Sequence, residues 1–142
     1  INVLPLSVVH EGREYVENVD ITPEEFYVTL ENCEKIPTSS QVTTQAYVDL
    51  YEKTFAAGYT DLIQISLNAK GSGTFQSGVI AKDLFFESHP EAAGTFAIHN
   101  VDSETYSMLY GHAVIKAAEM ARTGTSVRSF TSCACTSKVT AD

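Results

Sequence analysis

Leu62-Ile63-Gln64-Ile65-Ser66-Leu67, followed by Ala69-Lys70-Gly71-Ser72-Gly73-Thr74-Phe75-Gln76-Ser77, sets an apolar run against a glycine-rich turn and the start of a helical pattern. A short apolar run bounded by turn residues reads as a buried strand, so the order is strand, turn, helix. Such a turn is a ready anion site. Its glycines let backbone N–H groups approach a ligand, and the helix beginning near Thr74 directs unsatisfied N–H groups and its positive dipole end at the same point. Ser72 and Thr74 add hydroxyls. The turn lacks the Gly-Lys-Ser/Thr ending of a nucleotide P-loop and the G-x-G-x-x-G of a dinucleotide fingerprint, so the pattern specifies an oxygen-rich headgroup without naming it.

Working outward, Ile1 to Val9 reads as a strand with Pro5 near an edge, Glu11-Gly12 as a turn and Glu14 to Asp20 as a short extended return. Thr22-Pro23-Glu24-Glu25 places a hydroxyl at an N-cap, proline at the first helical position and Glu25 where a capping box needs it, which predicts a helix from Pro23 to about Asn32. Pro37 interrupts, and Thr38-Ser39-Ser40-Gln41 reads as a hydroxyl-rich loop. A second helix is expected over about Thr44 to Ala57, ended by Gly58, with Tyr47, Val48, Tyr51 and Phe55 on its apolar side. After the Asp61 to Leu67 strand, a helix runs from Thr74 to about Glu87 and stops at His89-Pro90. Thr95 to Val101 reads as a further strand, and Asp102-Ser103 as the cap of a long helix to about Arg122. This alternation predicts an α/β fold, a mostly parallel sheet with helices on both faces.

At 142 residues the chain has room for one α/β domain, expected over 1–125. The stretch 126–142, rich in Ser, Thr, Cys and Ala without periodicity, reads either as a disordered end or as a product of a shifted reading frame after about Ser129. With 18 acidic against 9 basic residues the net charge is −9, and no basic run occurs, so nucleic acid and anionic membrane surfaces are not expected partners. No stretch approaches the roughly 20 apolar residues of a membrane span. Cys33, Cys133 and Cys135 show no metal spacing with the four histidines and read as free thiols of a reducing cytoplasm. The chain opens on Ile1 with no signal-peptide pattern, which suggests a missing amino-terminal piece.

In an open α/β sheet the turns after the carboxyl ends of strands line one rim, where ligands bind. Ser72-Gly73-Thr74 and Asp102-Ser103 follow strands directly, and Thr38-Ser39-Ser40-Gln41 is the third hydroxyl-rich turn. Each hydroxyl could equally cap the next helix. Ser72 as a nucleophile is an alternative, but no G-x-S-x-G elbow surrounds it. His99 falls in a strand, His112 in a helix, and His10 and His89 at turns, so no base is evident.

Taken in order, Leu4-Pro5-Leu6-Ser7, Glu11-Gly12, Tyr15, Val19-Asp20-Ile21-Thr22-Pro23-Glu24-Glu25-Phe26, Thr38-Ser39-Ser40-Gln41, Ser72-Gly73-Thr74-Phe75-Gln76-Ser77 and Val101-Asp102-Ser103 resemble the amino-terminal domain of the DegV family of bacterial fatty-acid-binding proteins. The resemblance covers about Ile1 to Gly124. It implies an α/β domain that, with a separate carboxy-terminal domain, encloses a long-chain fatty acid in a tunnel and presents its carboxylate to a partner fatty-acid kinase. It implies no catalysis by this chain and no cofactor or metal. The family's Thr-Ser-Gln turn falls on Ser39-Ser40-Gln41, which gives Ser39 the hydroxyl that holds the carboxylate. Its Ser-Gly-Thr turn falls on Ser72-Gly73-Thr74, which assigns the Ser72 hydroxyl and Gly73 N–H to the same group. Ser40, Gln41, Thr74, Asp102 and Ser103 are the supporting turn residues. The alternative is a serine-dependent acyl hydrolase or transferase using Ser72. Against the family pattern, the opening strand and its turn are absent before Ile1 and the carboxy-terminal domain is missing, so weak lipid binding or none, and poor solubility, are expected of this chain alone. Gly71 replaces a bulkier apolar residue common before Ser-Gly-Thr, which is expected to loosen the turn.

Overall fold

The computed structural model describes residues 1–127; the expectations for the stretch from Arg128 on, Cys133 and Cys135 included, lie outside them. The chain divides into two compact units, Asn2–Val42 and one that begins at Thr43.

In the Asn2–Val42 unit, β1 (Ser7–His10), β2 (Arg13–Val16) and β3 (Thr38–Ser40) form an antiparallel sheet in the order β2-β1-β3, with α1 (Pro23–Asn32) between β2 and β3 in the chain. Glu11 (φ 49°) and Gly12 (φ 78°) join β1 to β2, both left-handed, the geometry that suits the twist of a tight hairpin. Arg13 lays its guanidinium 4.8 Å from the Tyr15 ring centroid. The capping box forms as its residues dictate: Glu25 N–H donates to Thr22 Oγ1 (3.3 Å) and Thr22 N–H donates to Glu25 Oε2 (2.9 Å). That backbone N–H, with the Thr22 hydroxyl, holds the Glu25 carboxyl below the usual carboxylate range.

Two expectations change here. The first strand starts only at Ser7, preceded by one backbone bond from Glu17 N–H to the Leu6 carbonyl (3.0 Å), and Pro5 has no N–H to carry the ladder further. Thr38-Ser39-Ser40 is not a loop but β3, with Ser39 opposite Val8 and Ser40 opposite Ser7. A three-residue edge strand without an apolar face takes its structure from its neighbour, so composition alone points elsewhere.

In the unit from Thr43, α2 (Thr44–Ala56) precedes β4 (Asp61–Ser66), α3 (Thr74–Ser88), β5 (Ala97–Asp102) and α4 (Met108–Arg122). Strands β4 and β5 pair in parallel, Asp61 opposite Ala97 through Ser66 opposite Asp102, with α3 as the crossover. Helices α2 and α3 pack together, α3 lies against both strands and α4 against β4. This is the α/β arrangement with a parallel pair that the strand-helix alternation requires.

The buried face of α3 is Thr74, Ser77, Gly78, Ala81 and Phe85, a helical stripe that grades from small side chains to a phenyl ring. At the wide end Phe85 meets Phe55 edge-on at 5.9 Å, Phe96 at 5.6 Å and the stacked His89 ring at 4.8 Å. At the narrow end helix and strand approach so closely that a Cβ on Gly78 would overlap the Gln64 side-chain amide. There Asn100 Nδ2 donates to Gln64 Oε1 and to the Tyr51 oxygen (3.3 Å), while Gln64 Nε2 donates to Ser66 Oγ (2.8 Å). The fully buried Tyr51 hydroxyl reaches both Gln64 Oε1 and the Gly78 carbonyl (3.2 Å). Burial pushes the phenols of Tyr51 and Tyr47 up.

Asp102-Ser103 does not cap α4, which starts five residues beyond Ser103, at Met108. Asp102 closes β5 and its Oδ1 accepts from Ala69 N–H (3.1 Å) and Glu104 N–H (2.9 Å), while Ser103 Oγ accepts from Thr105 N–H (3.3 Å). The same short polar side chains that cap helices have made a turn instead. Among the described residues no helix is long and apolar enough to cross a membrane.

Candidate functional site

The Ser72 turn is built by its own side chains. Asn68 Oδ1 accepts from Lys70 N–H (2.9 Å) and the Asn68 carbonyl from Gly71 N–H (3.1 Å), which folds the chain back after β4. Ser72 Oγ then accepts from Thr74 N–H (3.2 Å), and its hydroxyl donates to Thr74 Oγ1 (3.0 Å). Gly73 is the N-cap of α3 and carries no capping side chain. The opening amides of α3, which no residue of the helix itself can satisfy, therefore stand beside a hydroxyl and a residue without a Cβ. With its hydroxyls and the opening amides of α3, and with Lys70 in the turn, the arrangement suits a carboxylate or a similar oxygen group.

The turns after β4 and β5 are brought together, as the shared-rim expectation requires. Asn68 N–H donates to the Thr105 carbonyl (2.9 Å), Asn68 Nδ2 to the Glu104 carbonyl (3.0 Å) and Ser103 N–H to the Ser66 carbonyl (3.0 Å). Asp102 Oδ1 and Ser103 Oγ are engaged within these two turns, accepting from the Ala69, Glu104 and Thr105 N–H groups. Tyr106, which the sequence reading passed over, lies on the same rim. Its side chain rests on Gly71, where a Cβ would overlap the phenol oxygen. The signal available in the sequence was Gly71 itself, a second glycine beside Gly73 in the turn.

Ser39, Ser40 and Gln41 belong to the Asn2–Val42 unit. Ser39, in β3, lines a cavity of about 300 Å³ in that unit, walled by Leu6, Val8, Ile21, Pro23 and Phe26. Glu17, Thr22 and Tyr27 also line it, so a mostly apolar wall carries a few polar groups, the chemistry of a site for a hydrocarbon chain with a polar end. Ser40 is half-buried, and Gln41, just past β3, is exposed.

Among the described residues no histidine is a hydrogen-bond partner of Ser72. His99 Nε2 lies 3.3 Å from Asp61 Oδ1, at the start of β4, the end of the strand remote from the Ser72 turn. Among the described residues no cluster of three His, Cys, Asp or Glu side chains suits a metal ion.

Comparison with known proteins adds three findings. The family described as an uncharacterised protein, DegV family, matches residues 1–134. DegV domain-containing proteins of Clostridium perfringens and Listeria innocua are each 36% identical, over 124 and 121 residues, which is 87% and 85% of this chain and 42% and 40% of theirs. The chain thus spans about two fifths of the length of the curated relatives it matches. Among solved structures, the Bacillus subtilis DegV, described as a fatty acid binding protein, superposes with a TM-score of 0.79 at 27% identity, covering 92% of this chain and 44% of that one. A stearic-acid-binding protein of Eubacterium ventriosum has the same TM-score at 24% identity, covering 90% and 43%, a likeness of fold.

Proposed function

Because the chain belongs to the DegV family, we propose that it forms the carboxylate-holding part of a protein that binds a long-chain fatty acid. The Ser72 hydroxyl and the Gly73 N–H hold the headgroup, with Thr74, Asp102 and Ser103 supporting the turn; Ser39, with Ser40 and Gln41, offers a further hydroxyl within the Asn2–Val42 unit. The observation that carries this reading is the Ser72–Gly73 turn, a cluster of hydroxyl and amide groups at the start of α3 where, among the described residues, no histidine is bonded to the serine. The mostly apolar cavity beside Ser39 supports it by offering hydrocarbon contact in the Asn2–Val42 unit. Each hydrogen bond to a charged carboxylate contributes about 1.5–3 kcal/mol, and the acyl chain about 0.8 kcal/mol per buried CH₂. Most affinity therefore comes from the tail, and the turn sets which end is held.

In this reading the protein works in the cytoplasm and performs no reaction itself, presenting the carboxylate to a fatty-acid kinase. Calorimetry of the full-length protein with palmitate tests the headgroup assignment. Ser72→Ala weakens binding about tenfold or more, the loss expected for one bond to a charged group. If Ser72→Ala kept palmitate binding but abolished cleavage of an acyl ester, Ser72 would be a nucleophile and the carrier reading would fall.

A further inference from the structure

Tyr106 stands on the Ser72 rim with an unused donor. It is 50% exposed, and its hydroxyl makes no hydrogen bond to the described residues, although its side chain is not pointing freely into solvent. The contact with Gly71 fixes it against the residue that immediately precedes Ser72. Three features of the chain bring it there. The Ser103–Ser107 loop is laced to the β4 turn through Asn68, which bonds both Glu104 and Thr105. Glu104 (φ 54°) and Ser107 (φ 55°) take left-handed backbone conformations on either side of Tyr106, a geometry that costs free energy in non-glycine residues and persists where surrounding bonds enforce it. Gly71 has no Cβ, and only a residue without one admits the phenol oxygen at that place.

The open place at Gly71 thus has a partner in space. The volume that a side chain would fill before Ser72 is filled here from across the rim, and what arrives is a hydroxyl. Gly71, expected to loosen the turn, is packed by Tyr106. We infer that Tyr106 is a further ligand-binding residue, whose phenol O–H donates to the carboxylate held at Ser72 and Gly73, so that Gly71 and Tyr106 together add a donor to the headgroup site. The inference rests on the reading of the Ser72 turn as that site. A neutral phenol suits the task, since it supplies a donor without placing a fixed charge on an exposed rim, and a bond to an ionised oxygen is roughly twice as strong as one between neutral groups.

Calorimetry on the full-length protein with palmitate and with 1-hexadecanol tests it, with thermal melting to confirm that each variant is folded. Tyr106→Phe keeps the ring and removes the donor; it raises the Kd for palmitate roughly tenfold and changes that for hexadecanol by less than about twofold, because only the carboxylate offers a charged acceptor. Gly71→Ala displaces the end of the Tyr106 side chain and reproduces the palmitate loss, but adds nothing in a Tyr106→Ala background. Equal losses for acid and alcohol with Tyr106→Phe would show packing in place of donation and overturn the proposal. So would unchanged palmitate binding by Tyr106→Phe where Ser72→Ala weakens it, with the headgroup reading left standing. Unchanged binding by Ser72→Ala would remove the headgroup site and the proposal with it.

Discussion

Tyr51 carries a large share of what makes the unit from Thr43 specific. Its ring is fully buried against Phe85, and its hydroxyl joins Gln64, Asn100 and the Gly78 carbonyl, so helix α2 is tied to β4, β5 and α3 through one oxygen. Tyr51→Phe leaves those partners short of a hydrogen bond in a buried place and should lower stability by about 1–3 kcal/mol in urea unfolding. The same residue predicts a pH dependence. Burial raises its phenol above the usual range, so the folded state keeps the proton that the unfolded chain releases near pH ~10. Its contribution is intact below that pH and is lost as pH rises above it, a decline that Tyr51→Phe should flatten. Thr22 makes a simpler case: Thr22→Ala removes the acceptor for Glu25 N–H and should cost about 1 kcal/mol. The Thr22 cap was legible in the sequence because every group in it lies within one turn. Tyr106 on Gly71 was not, because the two come together only through the pairing of β4 with β5.

The elements divide along the same line. Helix α1 has the bounds its capping box and Pro23 dictate, and α2 and α3 end within a residue of the positions set by Ala57 and by His89-Pro90. Strand β4 was readable from its apolar run alone. Strand β3 was not, since Thr38, Ser39 and Ser40 owe their extended form to the β1 backbone, and the start of α4 was obscured because Asp102 and Ser103 make turns as readily as caps. Of the candidate site, the Ser72 turn was legible as local chemistry, whereas the lacing through Asn68 depends on a partner more than thirty residues away. The close approach of α3 to β4 gives a prediction at this scale. Gly78→Ala must push the helix off Gln64, and should destabilise by about 1–3 kcal/mol although alanine is the better helix former.

Across the chain, burial is unevenly shared. Among the described residues, every buried core residue apart from Val42 belongs to the unit from Thr43, while Val19, Tyr27, Val28 and Ile36 of the Asn2–Val42 unit are largely exposed. Local opening follows local burial, so amide exchange should be faster in β1, β2 and β3 than in β4 and β5. Mass spectrometry of exchanged peptides checks this, and comparable protection in both sheets would refute it.

The graded face of α3 also governs how this sequence can drift. Around Ser77 and Gly78 the penalty falls on any gain in bulk, whereas around Phe85 it falls on any loss. A saturation library would therefore show mirror-image tolerance along a single helix, smaller residues enriched toward Thr74 and larger ones toward His89.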